Sequence, residues 1–193
     1  MHPASQGPDW DRLYGTASAQ DGLFTTQQAA EAGYSPPLLA HHVRAGRILH
    51  LRRGLYRLVH FPAGEHEECV VAWLWSNHEG TLSHETALAF HDLSDVLPDI
   101  IHLTVPEAWR TKRLRVPRGI ALHSGEVTRA ERAWFGPVPA TAPRRTLVDC
   151  ARAGLSPELM EQATRQAIRR GLLAKADLAE VKRELEPHRG TAP

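Results

Sequence analysis

The sequence has few cysteines and no long apolar run. Cys69 and Cys150 stand far apart among apolar residues, which fits neither a disulfide framework nor a cysteine zinc site. No stretch approaches the ~20 apolar residues that a membrane-spanning helix needs. The start, MHPASQGPDW, lacks the apolar core and basic flank of a signal peptide. We therefore expect a soluble, cytoplasmic protein.

Carboxylates are missing from one long segment. None occurs between Glu31 and Glu65, whereas five arginines and four histidines lie in that interval. The formal net charge of the 193-residue chain is only +1, so the basic residues are unevenly distributed. Such a segment suits a polyanion, because a carboxylate there would repel it. Two other interpretations stay open: chance in an arginine-rich chain, and a surface that docks another protein.

Helix start and stop signals organise residues 1–62. Thr25, with Gln28 three residues on, predicts a capping box at the start of one helix. The next helix is predicted to begin after the N-cap Ser35 and to end at Gly46. The segment RILHLRRGLYRLV then alternates apolar and polar residues around a central turn, which predicts a two-stranded ribbon. Short helices followed by a ribbon predict a winged helix-turn-helix domain.

Residues 65–193, which follow the predicted linker FPAG, favour a separate domain. Its strand candidates are DIIHLTVP and GIALHSG, and the basic connection EAWRTKRLRVPR between them is predicted to be partly a hairpin. Helices are predicted at EHEECVVAWLWSNHEG, SHETALAFHDL, APRRTLVDCARAG, SPELMEQATRQAIRRG and KADLAEVKREL. The chain is therefore predicted to be α+β, with a winged helix-turn-helix domain followed by a small α+β domain whose helices flank a short sheet.

The helix after Ser35 has one basic face. On a helical wheel Leu39 and Val43 face inward, while His41 and Arg44 lie on the opposite side. A basic, hydrogen-bonding face suits the DNA major groove, where Arg44 can donate two bonds to a guanine. The ribbon tip would meet phosphates or the adjacent minor groove. The predicted DNA-contacting residues are Thr26, Ser35, Pro37, His41, Arg44, Arg47, Arg52, Arg53 and Arg57.

Patterns for an enzyme or a metal site are weak. His84 and His91 lie two turns apart on one predicted helix, but no cysteine or carboxylate stands at ligand spacing. Ser83 is better explained as the cap of that helix than as a nucleophile. Arg145 and Asp149, four residues apart, are expected to pair with each other. We predict no catalytic residues, no metal and no cofactor.

The segment GLFTTQQAAEAGYSPPLLAHHVRAGRILHLRRGLYRL resembles the N-terminal winged helix of AbiEi-family antitoxins, the transcriptional regulators of type IV toxin–antitoxin systems. The later segments LSHETALAFHDL, IHLTVP, ALHSG and TAPRRTLVDCAR resemble actinobacterial members of the same group. The resemblance implies that the first domain binds double-stranded operator DNA and represses its own operon. It also implies that the second domain neutralises an AbiEii-type nucleotidyltransferase toxin. A symmetric operator would require a homodimer or paired monomers on the DNA.

The basic connection between the two strand candidates is the predicted partner surface. Three interpretations stay open: a contact with DNA phosphates, docking of an acidic protein, and a solvated hairpin without a partner. The residues are Arg110, Lys112, Arg113, Arg115 and Arg118. Two other functions also stay open. One is a stand-alone winged-helix transcription factor without a toxin. The other is the regulatory front half of proteins that continue into a very-short-patch-repair-like nuclease, although we expect no nuclease domain after EVKRELEPHRGTAP.

Overall fold

The computed structural model describes residues 7–185 and divides into two compact units, Met1–Trp75 and Ser76–Pro193. Both units contain helices and strands, so the predicted α+β class is confirmed. No helix in the described range is long and apolar enough to cross a bilayer.

The first unit has the winged helix-turn-helix order of elements. Its antiparallel sheet has β3 (Leu55–Leu58) in the middle, between β1 (Leu23–Thr25) and β2 (Ile48–Arg52), and β1 was not predicted from the sequence. The elements are α1 (Trp10–Ser18), β1 (Leu23–Thr25), α2 (Thr26–Glu31), α3 (Pro36–Arg44), β2 (Ile48–Arg52), β3 (Leu55–Leu58) and α4 (Glu67–Trp75).

Local signals set the helix starts in this unit. The capping box at α2 is confirmed, because the Thr25 hydroxyl accepts from the Gln28 backbone N–H while the Gln28 side chain accepts from the Thr25 N–H. Ser35 caps α3 by accepting from the backbone N–H of Leu38. The helices close over a core that includes Leu13, Phe24, Leu39, Ile48 and Leu58. This core fixes α3 with its other face outward.

The division between the units falls after α4, whereas the sequence placed the boundary at residues 62–65. Two ion pairs connect α4 to the β2–β3 hairpin, from Glu68 to Arg52 and from Glu67 to Arg57. These contacts place α4 with the first unit, a long-range effect that composition around the FPAG linker does not reveal.

The second unit is built on a five-stranded mixed sheet with the order β6-β5-β4-β8-β7. Residues Leu88, Leu147, Met160 and Val181 contribute to the core beneath its helices. The elements are β4 (Thr81–Leu82), α5 (His84–Phe90), β5 (Ile101–Val105), β6 (Ile120–Ser124), β7 (Arg132–Phe135), β8 (Val138–Thr141), α6 (Pro143–Arg152), α7 (Pro157–Arg169) and α8 (Lys175–Leu185).

The connection between β5 and β6 is not a hairpin, so that expectation was wrong. The two strands pair in parallel, from Ile101 opposite Ile120 to Val105 opposite Ser124. Parallel neighbours cannot be joined by a tight turn, because the chain must first return to the same end of the sheet. The connection instead contains a 3₁₀ turn at Glu107–Thr111.

Two side-chain expectations in the second unit have opposite outcomes. Arg145 and Asp149 do pair, with Arg145 Nε 2.9 and 3.1 Å from the two carboxylate oxygens. Ser83 stands at the N-cap position of α5, but its side chain makes no capping bond. Its hydroxyl instead lies 2.9 Å from His84 Nδ1 and accepts from the Thr104 hydroxyl at 2.8 Å.

Candidate nucleic-acid interface

The outward face of α3 is the one the helical wheel predicts. Leu39 is only 1% exposed and Val43 packs against the same core. Pro37, His41 and Arg44 are exposed on the opposite side. The helix therefore presents a small residue, an imidazole and a guanidinium in succession, all able to approach a ligand.

His42 takes a different role from its neighbour His41. Its ring lies edge-on to Tyr34, with centroids 5.5 Å apart. Burial lowers the pKa of His42, and the nearby Arg47 and His41 lower it further. Its imidazole is therefore neutral at pH 7, and it packs α3 against the core instead of adding charge to the surface.

The β2–β3 hairpin, here called the wing, turns at Arg53 and Gly54. Gly54 has φ +78°, a left-handed conformation that glycine adopts without steric cost. The backbone N–H of Thr26 donates to the Gly54 carbonyl at 3.0 Å, which ties the wing tip to the start of α2. Thr26, predicted to contact DNA, is half-buried and positions the wing, whereas Arg53 is exposed at its tip.

Two carboxylates contact the wing, although its own sequence contains none. Arg52 is bonded to both carboxylate oxygens of Glu68 at 2.9 Å, and both side chains are exposed. Arg57 is paired with Glu67, and its side chain is only 14% exposed. The two arginines therefore differ: Arg57 is largely buried against Glu67, whereas Arg52 bonds Glu68 through Nη2 alone and stays exposed.

Three cations remain available on this surface. Within residues 7–185, no carboxylate pairs with Arg44 on α3, with Arg47 after it, or with Arg53 on the wing. Ser35 is exposed, but its hydroxyl caps α3. We call Arg44, Arg47 and Arg53, together with His41 on α3, the basic face.

The predicted partner surface lies entirely in the connection between β5 and β6. All five of its residues are exposed. Arg110 lies 3.5 Å from Glu107 in an exposed pair, and the Lys112 ammonium lies 4.3 Å from the centre of the Trp109 ring. We call Arg110, Lys112, Arg113, Arg115 and Arg118 the basic strip.

The first unit thus has the fold of the winged-helix class. Residues 11–59 match the family model described as "Transcriptional regulator, AbiEi antitoxin", which confirms the resemblance predicted for that segment. A solved structure, the RV2827C protein from Mycobacterium tuberculosis, shares 18% sequence identity over 96% of this chain and 79% of that chain. The TM-score of that match is 0.49. No curated protein matches the sequence significantly.

Proposed function

We propose that the protein is a DNA-binding transcriptional regulator that represses its own operon. The observation that carries the proposal is the basic face: His41 and the three arginines are all exposed, and no carboxylate within residues 7–185 pairs with those arginines. The family-model match over residues 11–59 supports the same function.

The basic face would contain two kinds of residue: those that read bases and those that bind phosphates. A helix of the size of α3 fits the major groove of B-DNA, where Arg44 and His41 would reach base edges. Arg47, which follows that helix in the chain, and Arg53 on the wing would neutralise phosphates, contacts that fix position without reading sequence. On a symmetric operator, a homodimer or two paired monomers would place two such helices in successive major grooves.

Binding to the DNA upstream of the protein's own gene is expected to weaken steeply as salt rises. Each phosphate neutralised by an arginine releases condensed counterions, so log K falls with log salt with a slope of about −0.9 per contact. Arg53→Ala should therefore lower the magnitude of that slope by about one contact. Fluorescence anisotropy at several salt concentrations measures both quantities.

The matched control is Arg165→Ala, which removes one exposed arginine of α7 in the second unit and should leave the slope unchanged. Absence of binding to the upstream DNA at low salt would exclude the regulatory function. A slope that Arg53→Ala does not alter would remove the wing from the interface.

For the second unit, we propose neutralisation of a nucleotidyltransferase toxin. The support is the resemblance of its segments to those of AbiEi-family proteins, together with its own sheet and core. The basic strip is an exposed cationic surface, which would suit the acidic catalytic cleft of such an enzyme. The alternative, a stand-alone transcription factor, needs no function for the strip.

Charge reversal in the basic strip is expected to abolish rescue from the toxin. Cells expressing the toxin from the neighbouring gene should grow when the full chain is supplied from an unrelated promoter. The variant Arg113→Glu/Arg115→Glu should fail to rescue growth yet still bind operator DNA, because like charges would face each other across the interface. Growth curves and the anisotropy assay give the two readouts.

The control for this test is Arg165→Glu/Arg169→Glu, which reverses two exposed charges on α7 and should still rescue. A neighbouring gene that encodes no nucleotidyltransferase would contradict the antitoxin proposal. Full rescue by the strip variant would show that the strip is not the surface that meets the toxin.

A further inference from the structure

Three histidines from three elements of the second unit converge. His84 begins α5, His102 lies on β5 and His123 lies on β6. One ring nitrogen from each lies within 4.8 Å of the others, and His102 Nδ1 is 3.0 Å from His123 Nε2. We call this set the histidine cluster. The spacing of His84 and His91 in the sequence made them a candidate pair of metal ligands. His91 is not part of the cluster, and its Nε2 donates to the Thr141 carbonyl at 2.7 Å.

The backbone holds His84 in an unusual conformation. Its φ is +50°, in the left-handed region that residues with a Cβ seldom adopt. Such strain persists only where the surroundings determine it, and it concentrates at functional sites. Here it directs the imidazole onto His123, with the two ring centroids 3.6 Å apart.

Hydroxyl groups behind the cluster orient His84. Ser83 Oγ lies 2.9 Å from His84 Nδ1 and already accepts a hydrogen bond from Thr104. A hydroxyl oxygen has two lone pairs, so it can also accept from a protonated Nδ1. In that tautomer His84 Nε2 keeps its lone pair, which is how metal-binding histidines are commonly held by a second hydrogen bond.

The protonation state of the cluster also suits a cation. Burial lowers the pKa of His84 to about 3, and the adjacent His123 and His102 contribute to this shift. Burial also lowers the pKa of His102 and of His123. All three imidazoles are therefore neutral near pH 7, the form that binds metal ions.

His84 and His123 line a cavity that three arginines also line, so an anion is the competing ligand. Each of them, however, has a carboxylate partner: Arg145 pairs with Asp149 and Glu131, Arg152 with Glu184, and Arg110 with Glu107. Their charges are thus largely offset locally. The neutral imidazole nitrogens are the donor groups that this cavity presents to a ligand, and they favour a cation over a phosphate.

We propose that His84, His102 and His123 form a binding site for one divalent transition-metal ion, with Zn²⁺ as the ion best suited to three imidazoles. Zn–N bonds of about 2.0–2.1 Å at tetrahedral angles separate two ligand nitrogens by about 3.3 Å. The 3.0 Å contact between His102 and His123 is close to that spacing.

Binding requires two local changes. The proton between His102 Nδ1 and His123 Nε2 must move to the other nitrogen of the ring that carries it, so that both nitrogens offer a lone pair. The His84 and His123 planes are inclined by only 20°, and an imidazole lone pair lies in its ring plane. The His84 ring must therefore turn about its Cβ–Cγ bond to direct Nε2 at the ion, a torsion with broad minima, and the Ser83 hydroxyl must follow Nδ1 to keep its bond. The fourth position would face the cavity beside Ser124 and accept a water molecule. The ion would join α5 to β5 and β6.

Titration of the tag-free, full-length protein with Co²⁺ tests this site. We expect one equivalent to bind with the visible d–d absorption of tetrahedral nitrogen and oxygen coordination, and Zn²⁺ to displace it. A thiolate charge-transfer band should be absent, because Cys69 and Cys150 are buried. Zn²⁺ should also raise the melting temperature, since it binds the folded state.

The variants His102→Gln and His123→Gln should each weaken binding by at least about 100-fold, whereas His60→Gln, at an exposed histidine of the first unit, should not. Circular dichroism checks that each variant is folded. Failure of the unaltered protein to bind one equivalent overturns the proposal, whatever the variants show. Undiminished binding by both cluster variants overturns it equally.

Discussion

Arg44→Ala is expected to reduce the discrimination between operator and random DNA. Arg44 is exposed on the basic face, and no carboxylate within the described residues holds it. A bidentate arginine–guanine contact contributes about 1–3 kcal/mol of discrimination, so affinity for the operator should fall about 5- to 150-fold. Affinity for random DNA should change much less. His41→Ala should act in the same direction with a smaller effect, since one imidazole makes fewer bonds.

Anisotropy titrations of operator and scrambled duplexes at one salt concentration measure this difference. Arg53→Ala is the informative comparison, because a phosphate contact should be lost from both duplexes about equally. Arg165→Ala, outside the first unit, should affect neither. If Arg53→Ala alone changed sequence preference, the assignment of α3 as the helix that reads bases would be wrong.

The sequence predicts α3 well because its determinants are local. The cap Ser35, the proline after it and the spacing of Leu39 and Val43 all act within one helix, and the structure agrees with each. The capping box at Thr25 and Gln28 is equally local. Local rules therefore identified the helix, its start and its exposed face, whereas its last residue is Arg44, two positions before the predicted Gly46.

Short strands were harder to predict, because distant partners create them. Leu23–Thr25 is a strand because it pairs with β3, thirty or more positions along the chain, from Leu23 opposite Arg57 to Thr25 opposite Leu55. In the second unit, Pro139 lies inside β8. Because proline lacks a backbone donor, its presence argued against a strand at this position. Neither strand carries a periodic signal long enough to recognise alone.

The chemistry of the sites also depended on long-range contacts. The segment that contains the wing has no carboxylates in its sequence, but Glu67 and Glu68 of α4 lie beside the wing and pair with its arginines. The histidine cluster is likewise invisible in the sequence, since it arises from the parallel pairing of β5 with β6 and the left-handed start of α5. Spacing along one helix suggested His91 instead, which bonds a backbone carbonyl.

Glu67→Gln is expected to destabilise the first unit, whereas Glu68→Gln should not. Both residues lie in the first turn of α4 and both pair with a wing arginine, but the two pairs differ in exposure. The side chains of Arg57 and Glu67 are 14% and 23% exposed, against 49% and 65% for Arg52 and Glu68. A charge left without its partner in a mostly buried site costs far more than one that water can solvate.

For Glu67→Gln we expect the free energy of unfolding to fall by about 2 kcal/mol, because Arg57 loses its counter-charge. The Arg57 Nε already lacks a hydrogen-bond partner among the described residues, so little local compensation is at hand. For Glu68→Gln the change should stay within about 1 kcal/mol. Urea unfolding followed by circular dichroism measures both, and equal effects would contradict the structural role given to Arg57.

The same two variants should rank in the opposite order for DNA affinity, with the larger effect for Glu68→Gln. Glu68→Gln releases Arg52 from a paired state and removes a negative charge beside the wing, so affinity for operator and random DNA should rise together by a factor of about 2 to 5. Glu67→Gln, in protein that is still folded, should give a smaller gain, since Arg57 remains largely covered. Anisotropy at low salt provides the measurement. Unchanged affinity for Glu68→Gln would place Arg52 outside the DNA interface, leaving the wing to act through Arg53 alone.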